Sequence, residues 1–220
     1  MANSPVVRLM DSARIQLPGA LQGAMNLAFF DVLKHFLQRT NAWQDEITFS
    51  ATPSVWDYAL TPNQTATINR LLWVEGARAT TQDASGPIQN GYLTQPGQAA
   101  NLRIATPPSS AETWYAHVAY SVADPTGGEG VPSVPDWLIE KYQDVLQEGL
   151  LERMMIQPAK PYANAQGAML HGRRYRQGAI LARAEVKHGF VSGANNWTFP
   201  QTYKTRTQRY FKGGYIGGGQ

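Results

Sequence analysis

The chain has 220 residues, 43% of them hydrophobic, which is enough for one elaborated domain or two small ones. It has no cysteine, which excludes a disulfide framework and a thiolate metal site. The net charge of +3 hides a segregation: residues 1–170 carry ten bases and fifteen acids, net −5, while residues 171–220 carry nine bases and one acid, net +8.

Met1 to Leu17 has no basic head followed by an apolar core, so no secretory signal is expected. No run approaches the roughly 18–20 apolar residues of a membrane span. Pro18 opens a helical pattern that runs to about Arg39, with Leu17, Leu21, Ala24, Ala28, Val32 and Phe36 mostly on one face. Thr40-Asn41 ends it, and Trp43 plugs the junction with the next element. From Glu46 the period changes. Glu46–Ser50 reads as a short strand and Thr61-Pro62-Asn63 as a turn. Thr65–Glu75 reads as a long strand with Ile68, Leu72 and Val74 buried. Asn90-Gly91 is a hairpin signal leading into Gly91–Thr94. Leu102 and Ile104 mark a further strand. Thr113–Val122 alternates most cleanly, with Trp114, Ala116, Val118, Tyr120 and Val122 on one face. Residues 46–122 therefore predict an antiparallel β unit inserted between helices.

Asp124–Pro135 is a linker by composition. Ser133 with Asp136 three residues on resembles a capping box, and Pro135 suits a first helical turn. In the helix beyond it, Leu138, Ile139, Tyr142, Val145, Leu146, Gly149 and Leu150 fill one half. Asp136, Glu140, Asp144, Glu148 and Glu152 fan over the other, because a four-residue step drifts by about 40°. Such like charges repel by about 0.2–0.5 kcal/mol per pair on an isolated helix. Pro158 and Pro161 end this helix. Another runs from about Asn164 to His188, closed by Gly189. Its Gly167, Gly172 and Gly178 each cost about 1 kcal/mol in propensity, so packing of close backbones must hold it. Beyond Phe190 the sequence is aromatic and basic, with no core-forming period.

No phosphate-binding loop, dinucleotide fingerprint, HExxH or GxSxG is present. His35, His117, His171 and His188 are scattered over different elements. No catalytic site, cofactor or metal is expected. The acidic ladder lacks the Glu and His three residues apart of di-metal helical sites. It reads either as a solvated face or as an interface with a neighbour's basic segment. On that second reading Asp136, Glu140, Asp144, Glu148 and Glu152 are partner-binding, opposite Arg173, Arg174 and Arg176. In the tail, Trp197, Tyr203, Lys204, Arg206, Arg209, Tyr210, Phe211 and Lys212 fit three roles: nucleic-acid binding through phosphate contacts and base stacking, a flexible soluble terminus, or an arm anchored on another protein. Tyr115 and His117 read as ordinary residues of their strand's second face, and Trp56 and Trp73 as core.

The segments INRLLWV (68–74), VPDWLIEKYQDVLQEGLLERMM (134–155) and HGRRYRQGAILARAEVKHG (171–189), in this order of elements, resemble the head-to-tail adaptors of short-tailed bacteriophages, the tail tubular protein A-like neck connectors. The resemblance implies an α+β fold: a helical bundle from residues 1–45 and 123–189, the β unit at 46–122, and an extended C-terminal arm at 190–220. It also implies a structural virion protein, assembled in the host cytoplasm as a homo-oligomeric ring, typically of twelve copies. The ring would sit between the portal protein and the tail nozzle protein, with genomic DNA passing through its channel. The alternative from the residues alone is a sequence-independent nucleic-acid-binding module that uses the basic tail. A small hydrolase is a further rival, which would need a cleft holding a histidine and a carboxylate.

Overall fold

The computed structural model describes residues 4–78, 86–123 and 133–187, so the C-terminal arm and most of the Gly/Pro-rich linker lie outside the described residues. The chain is mixed α+β, with four helices and two antiparallel sheets among the described residues.

The first helix, α1 (Pro5–Gln16), precedes the one expected to open at Pro18. Its start signal is Ser4-Pro5: the Ser4 hydroxyl accepts from the Val7 N–H at 3.4 Å, and Pro5 has no N–H to leave unpaired in the first turn. Val6, Leu9, Met10 and Ala13 form its buried stripe. Pro18 instead falls in the turn before α2 (Gln22–Thr40), and Leu21 is left 75% exposed at that helix's start. Asn41 closes α2 in the left-handed region (φ 54°), its N–H donating to the Leu37 carbonyl at 2.9 Å. As expected, Trp43 is buried at the junction, edge-on to Tyr120.

Seven strands come next: β1 (Gln44–Ala51), β2 (Asp57–Leu60), β3 (Ala66–Glu75), β4 (Ile88–Gln89), β5 (Gly91–Gln95), β6 (Ala100–Ile104) and β7 (Glu112–Val122). One sheet runs β1-β7-β3-β4 and the other β2-β6-β5. The long alternating strand β7 is the hub, pairing with β1 on one edge and β3 on the other; Trp114, Ala116, Val118, Tyr120 and Val122 are all buried. Two register shifts in β3, at Ile68/Arg70 and Leu71/Trp73, interrupt its alternation, so Leu72 is only half-buried. Asn90-Gly91 is not a hairpin turn. β4 pairs with β3 and β5 with β6, so the chain crosses there from one sheet to the other. Gly91 makes the crossing possible, since a Cβ there would sit 3.0 Å from Val74 Cγ2 and 3.2 Å from Leu102 Cδ1.

Helix α3 (Asp136–Met155) begins at Pro135 with no side-chain cap, so the Ser133/Asp136 capping box does not form. It bends at Tyr142 (φ −112°, ψ 20°) and buries Leu138, Ile139, Leu146, Leu150 and Met154. Helix α4 (Ala165–Lys187) is started by Asn164, whose Oδ1 accepts from the Gly167 N–H at 2.9 Å. α3 packs against α1, α2 and α4, while α2 also packs against α4 and β7. One continuous apolar core therefore runs from the helices into the sheets. No helix among the described residues is long and apolar enough to cross a membrane.

The glycines of α3 and α4 set the helix spacing. A Cβ on Gly149 would lie 2.6 Å from Val32 Cγ1 of α2 and 2.8 Å from Tyr175 Cδ2 of α4; one on Gly178 would lie 2.5 Å from Val145 Cγ2. Tyr175 is buried in the same junction, its hydroxyl 2.9 Å from His35 Nδ1 and 3.4 Å from the Val32 carbonyl, and burial pushes its phenol up to about 12. Gly149→Val should therefore overpack three helices at once and cost about 1–3 kcal/mol of stability, read from urea unfolding midpoints.

Candidate functional site

Two clusters of charge stand out, one along the α3–α4 seam and one at the end of β3. The seam comes from helix geometry. A four-residue repeat drifts by about 40° per step, and α3 also bends at Tyr142, so the five-acid ladder does not keep to one face. Glu148 and Glu152 turn towards α4 of the same chain. Glu148 Oε2 lies 2.5 Å from His171 Nδ1 and Glu148 Oε1 3.3 Å from Arg174 Nη1, while Glu152 Oε1 accepts from Arg176 Nη1 at 3.0 Å. The lone acid of α4, Glu185, is held in return by Lys141 Nζ at 2.7 Å and the Tyr142 hydroxyl at 3.2 Å.

Asp136, Glu140 and Asp144 point outward and are exposed. Glu140 meets Arg8 of α1 at 3.1 Å; Asp136 and Asp144 make no ion pair among the described residues. On the other side, Arg173, Arg183 and Lys187 are exposed along α4 and equally without an ion pair among the described residues. Of the expected partner-binding set, the structure thus joins Glu148, Glu152, Arg174 and Arg176 within one chain. It leaves Asp136, Asp144 and Arg173 uncompensated. Trp197, Tyr203, Lys204, Arg206, Arg209, Tyr210, Phe211 and Lys212 lie outside the described residues.

The outward side of α4 is also apolar. Met169, Ile180 and Leu181 are 75%, 68% and 71% exposed, and Leu170 is half-exposed. Below Met169 an open cleft of about 490 Å³ is lined by Glu152, Ile156, Ala168, Arg173 and Arg176. A second cleft of about 490 Å³ lies where the end of α4 meets β3, lined by Arg70, Trp73, Arg183 and Lys187 among others. Neither is lined by a histidine.

The second cluster was not legible as a site in the sequence. Glu75, at the end of β3, is buried, and its carboxylate accepts from Arg78 Nε at 2.7 Å and from the Gly86 N–H at 2.5 Å. His117 Nε2 lies 2.9 Å from Glu75 Oε2, and Arg78 Nη2 donates to Glu46 Oε2 at 2.7 Å. The Arg78 guanidinium rests 3.9 Å over the Tyr115 ring, and Trp73 stacks on His117 with centroids 4.3 Å apart. Trp73 and Trp56, expected in the core, are 42% and 45% exposed, and Tyr115 and His117 belong to this network rather than to an ordinary strand face. Glu46, Glu75 and His117 offer ligand atoms within 4.8 Å of one another, but Arg78 already bonds both carboxylates, so a cation would have to displace it. Arg78, helped by Gly86 and His117 against the opposing effect of burial, holds the Glu75 carboxyl down to about 2.

Compared with known proteins, the chain matches no family profile, and no curated protein matches it.

The two clusters should respond differently to mutation. Because the Glu75 pKa is lower in the fold than its ordinary 4.5, its stabilising contribution is complete above that value and is lost as pH falls towards about 2. Glu75→Gln should lower the melting temperature at neutral pH and flatten the dependence of stability on pH across that window. Arg176→Gln removes a half-exposed pair and should cost only about 0–1 kcal/mol in urea unfolding, shrinking further in high salt.

Proposed function

We propose that this chain is a structural virion protein, not an enzyme: a head-to-tail adaptor forming a ring between a portal protein and a tail nozzle protein, with a channel for DNA. The observation that carries the reading is the outward side of α4, where Met169, Ile180 and Leu181 lie exposed beside the uncompensated Arg173 and Arg183. A 23-residue helix that turns large apolar side chains and exposed charge to solvent fits protein contact better than catalysis. The order of elements supports it too: helices before and after an antiparallel β unit, as in the adaptors the sequence resembles.

In this assembly the four helices act as a bundle docking on one neighbour and the β unit is directed outward or towards the tail. The arm at 190–220 binds the portal or an adjacent copy, its aromatics serving as anchors. Closure of the ring makes the last contacts intramolecular, so modest interfaces suffice.

Nucleic-acid binding is the second reading, favoured by Arg173, Arg183 and Lys187, which make no ion pair among the described residues and lead in sequence towards the basic tail. It predicts duplex binding by the isolated chain that weakens steeply with salt. Electron microscopy of the chain mixed with the portal protein of the same virus separates the two. The adaptor reading expects a ring stacked on the portal and loss of docking when residues 190–220 are deleted. Absence of any association with the portal, together with salt-dependent DNA binding that the same deletion abolishes, would replace it with the second.

A further inference from the structure

α3 packs against both α1 and α4, meeting α1 through Glu140–Arg8 and α4 through Lys141–Glu185, Glu148–His171 and Glu152–Arg176. The chain therefore has two distinct helical edges, and their surfaces are complementary. On α4, at 100° per residue, Met169, Arg173, Ile180, Arg183 and Lys187 fall within about 80° of arc, a stripe that runs about 27 Å from first to last. It is basic and apolar at once.

The α1/α3 edge is its counterpart. Asp136 and Glu140 stand about one turn apart on α3, Asp144 follows just beyond the bend at Tyr142, and all three are exposed. Arg8 of α1 reaches Glu140, and Ile15, two turns further along the same α1 stripe, is 83% exposed. Trp137, beside Asp136, is 45% exposed. One edge thus offers acid around exposed apolar side chains and the other offers base around exposed apolar side chains.

We infer that the outward stripe of α4 binds the α1/α3 edge of a second copy of this chain, head to tail, through Arg173 and Arg183 against Asp136 and Asp144. The inference rests on the ring proposed above and names its subunit contact. Two different surfaces that complement each other on one chain make a heterologous contact, which closes into a ring when the rotation per copy allows. Apolar burial of Met169 and Ile180 supplies affinity, and the charges set register and direction. The pairing also explains why only part of the ladder is available: Glu148 and Glu152 are already engaged by the same chain's α4. DNA is the weaker occupant for this stripe, since phosphates gain nothing from Met169 and Ile180.

Paired charge reversal tests this on the full chain, with electron microscopy of rings assembled on the portal as the readout. Arg173→Glu with Arg183→Glu makes both edges acidic; Asp136→Arg with Asp144→Arg makes both basic. Each variant alone should form no ring. Their equimolar mixture should form one, because every contact between unlike copies is again acid against base, and that rescue also shows that both variants fold. Rings from either variant alone, or no ring from the mixture while the unmodified chain forms one, would overturn the assignment and leave the adaptor reading standing. No ring from the unmodified chain would remove the adaptor reading and the assignment with it. If the first variant instead loses duplex DNA binding and keeps its ring, the stripe is a nucleic-acid face and the inference fails.

Discussion

Close approach at Gly149 is the constraint on which the helical half depends. With no side chain there, α2, α3 and α4 meet within reach of Val32 and Tyr175. Gly178 repeats the device against Val145, and Gly172 seats the Glu152 carboxylate. Three glycines cost helix propensity, and only the packing that they permit returns it. The same proximity brings His171, Arg174 and Arg176 to the acids of α3, and commits one side of α4 to the interior. Its other side is thereby fixed as an outward surface.

Charge in this chain is divided between holding and offering. The arginine pairs of the seam are partly exposed, so each contributes little, while His171 and Glu148 lie deeper, and the continuous apolar core supplies most of the stability. What the pairs decide is orientation: they set which side of α4 is spoken for. The network around Glu75 has a related role at the far end of β3, where Arg78 binds back onto β1 through Glu46 and onto β7 through Tyr115. Glu75 at its centre is more buried than any acid of the seam, and removing one member would strand the rest.

Sequence pattern reached the elements whose period survives in the fold. β7 alternates because one of its faces is wholly buried, and α3 and α4 are long enough for a helical period to dominate. α1 escaped because Pro18 offers a start signal as good as Ser4-Pro5, and nothing local chooses between them. β2 and β4, four and two residues long, carry too few positions to show alternation. Asn90-Gly91 has the residues of a hairpin turn, but distant strands decide its pairing. The charged clusters were half-legible. The drift of the acidic ladder is arithmetic, whereas knowing that Glu148 and Glu152 would find α4 needed the glycines' contacts. Glu75 and Arg78 stand three apart in sequence, yet their meeting with His117 depends on the register of β3 against β7.

The position of β7 and α3 late in the chain has a consequence for synthesis on the ribosome. α1 leaves the ribosome long before the helix it packs against, α3, which begins at Asp136. β1 likewise waits for β7, with Gln44 pairing to Ala119. Until those segments appear, Phe36 lacks its contact with Tyr142 and Ile47 its strand partner Ala116. Apolar surface on α1 and β1 therefore waits uncovered until α3 and β7 have been made, the interval in which a chaperone would have most to do.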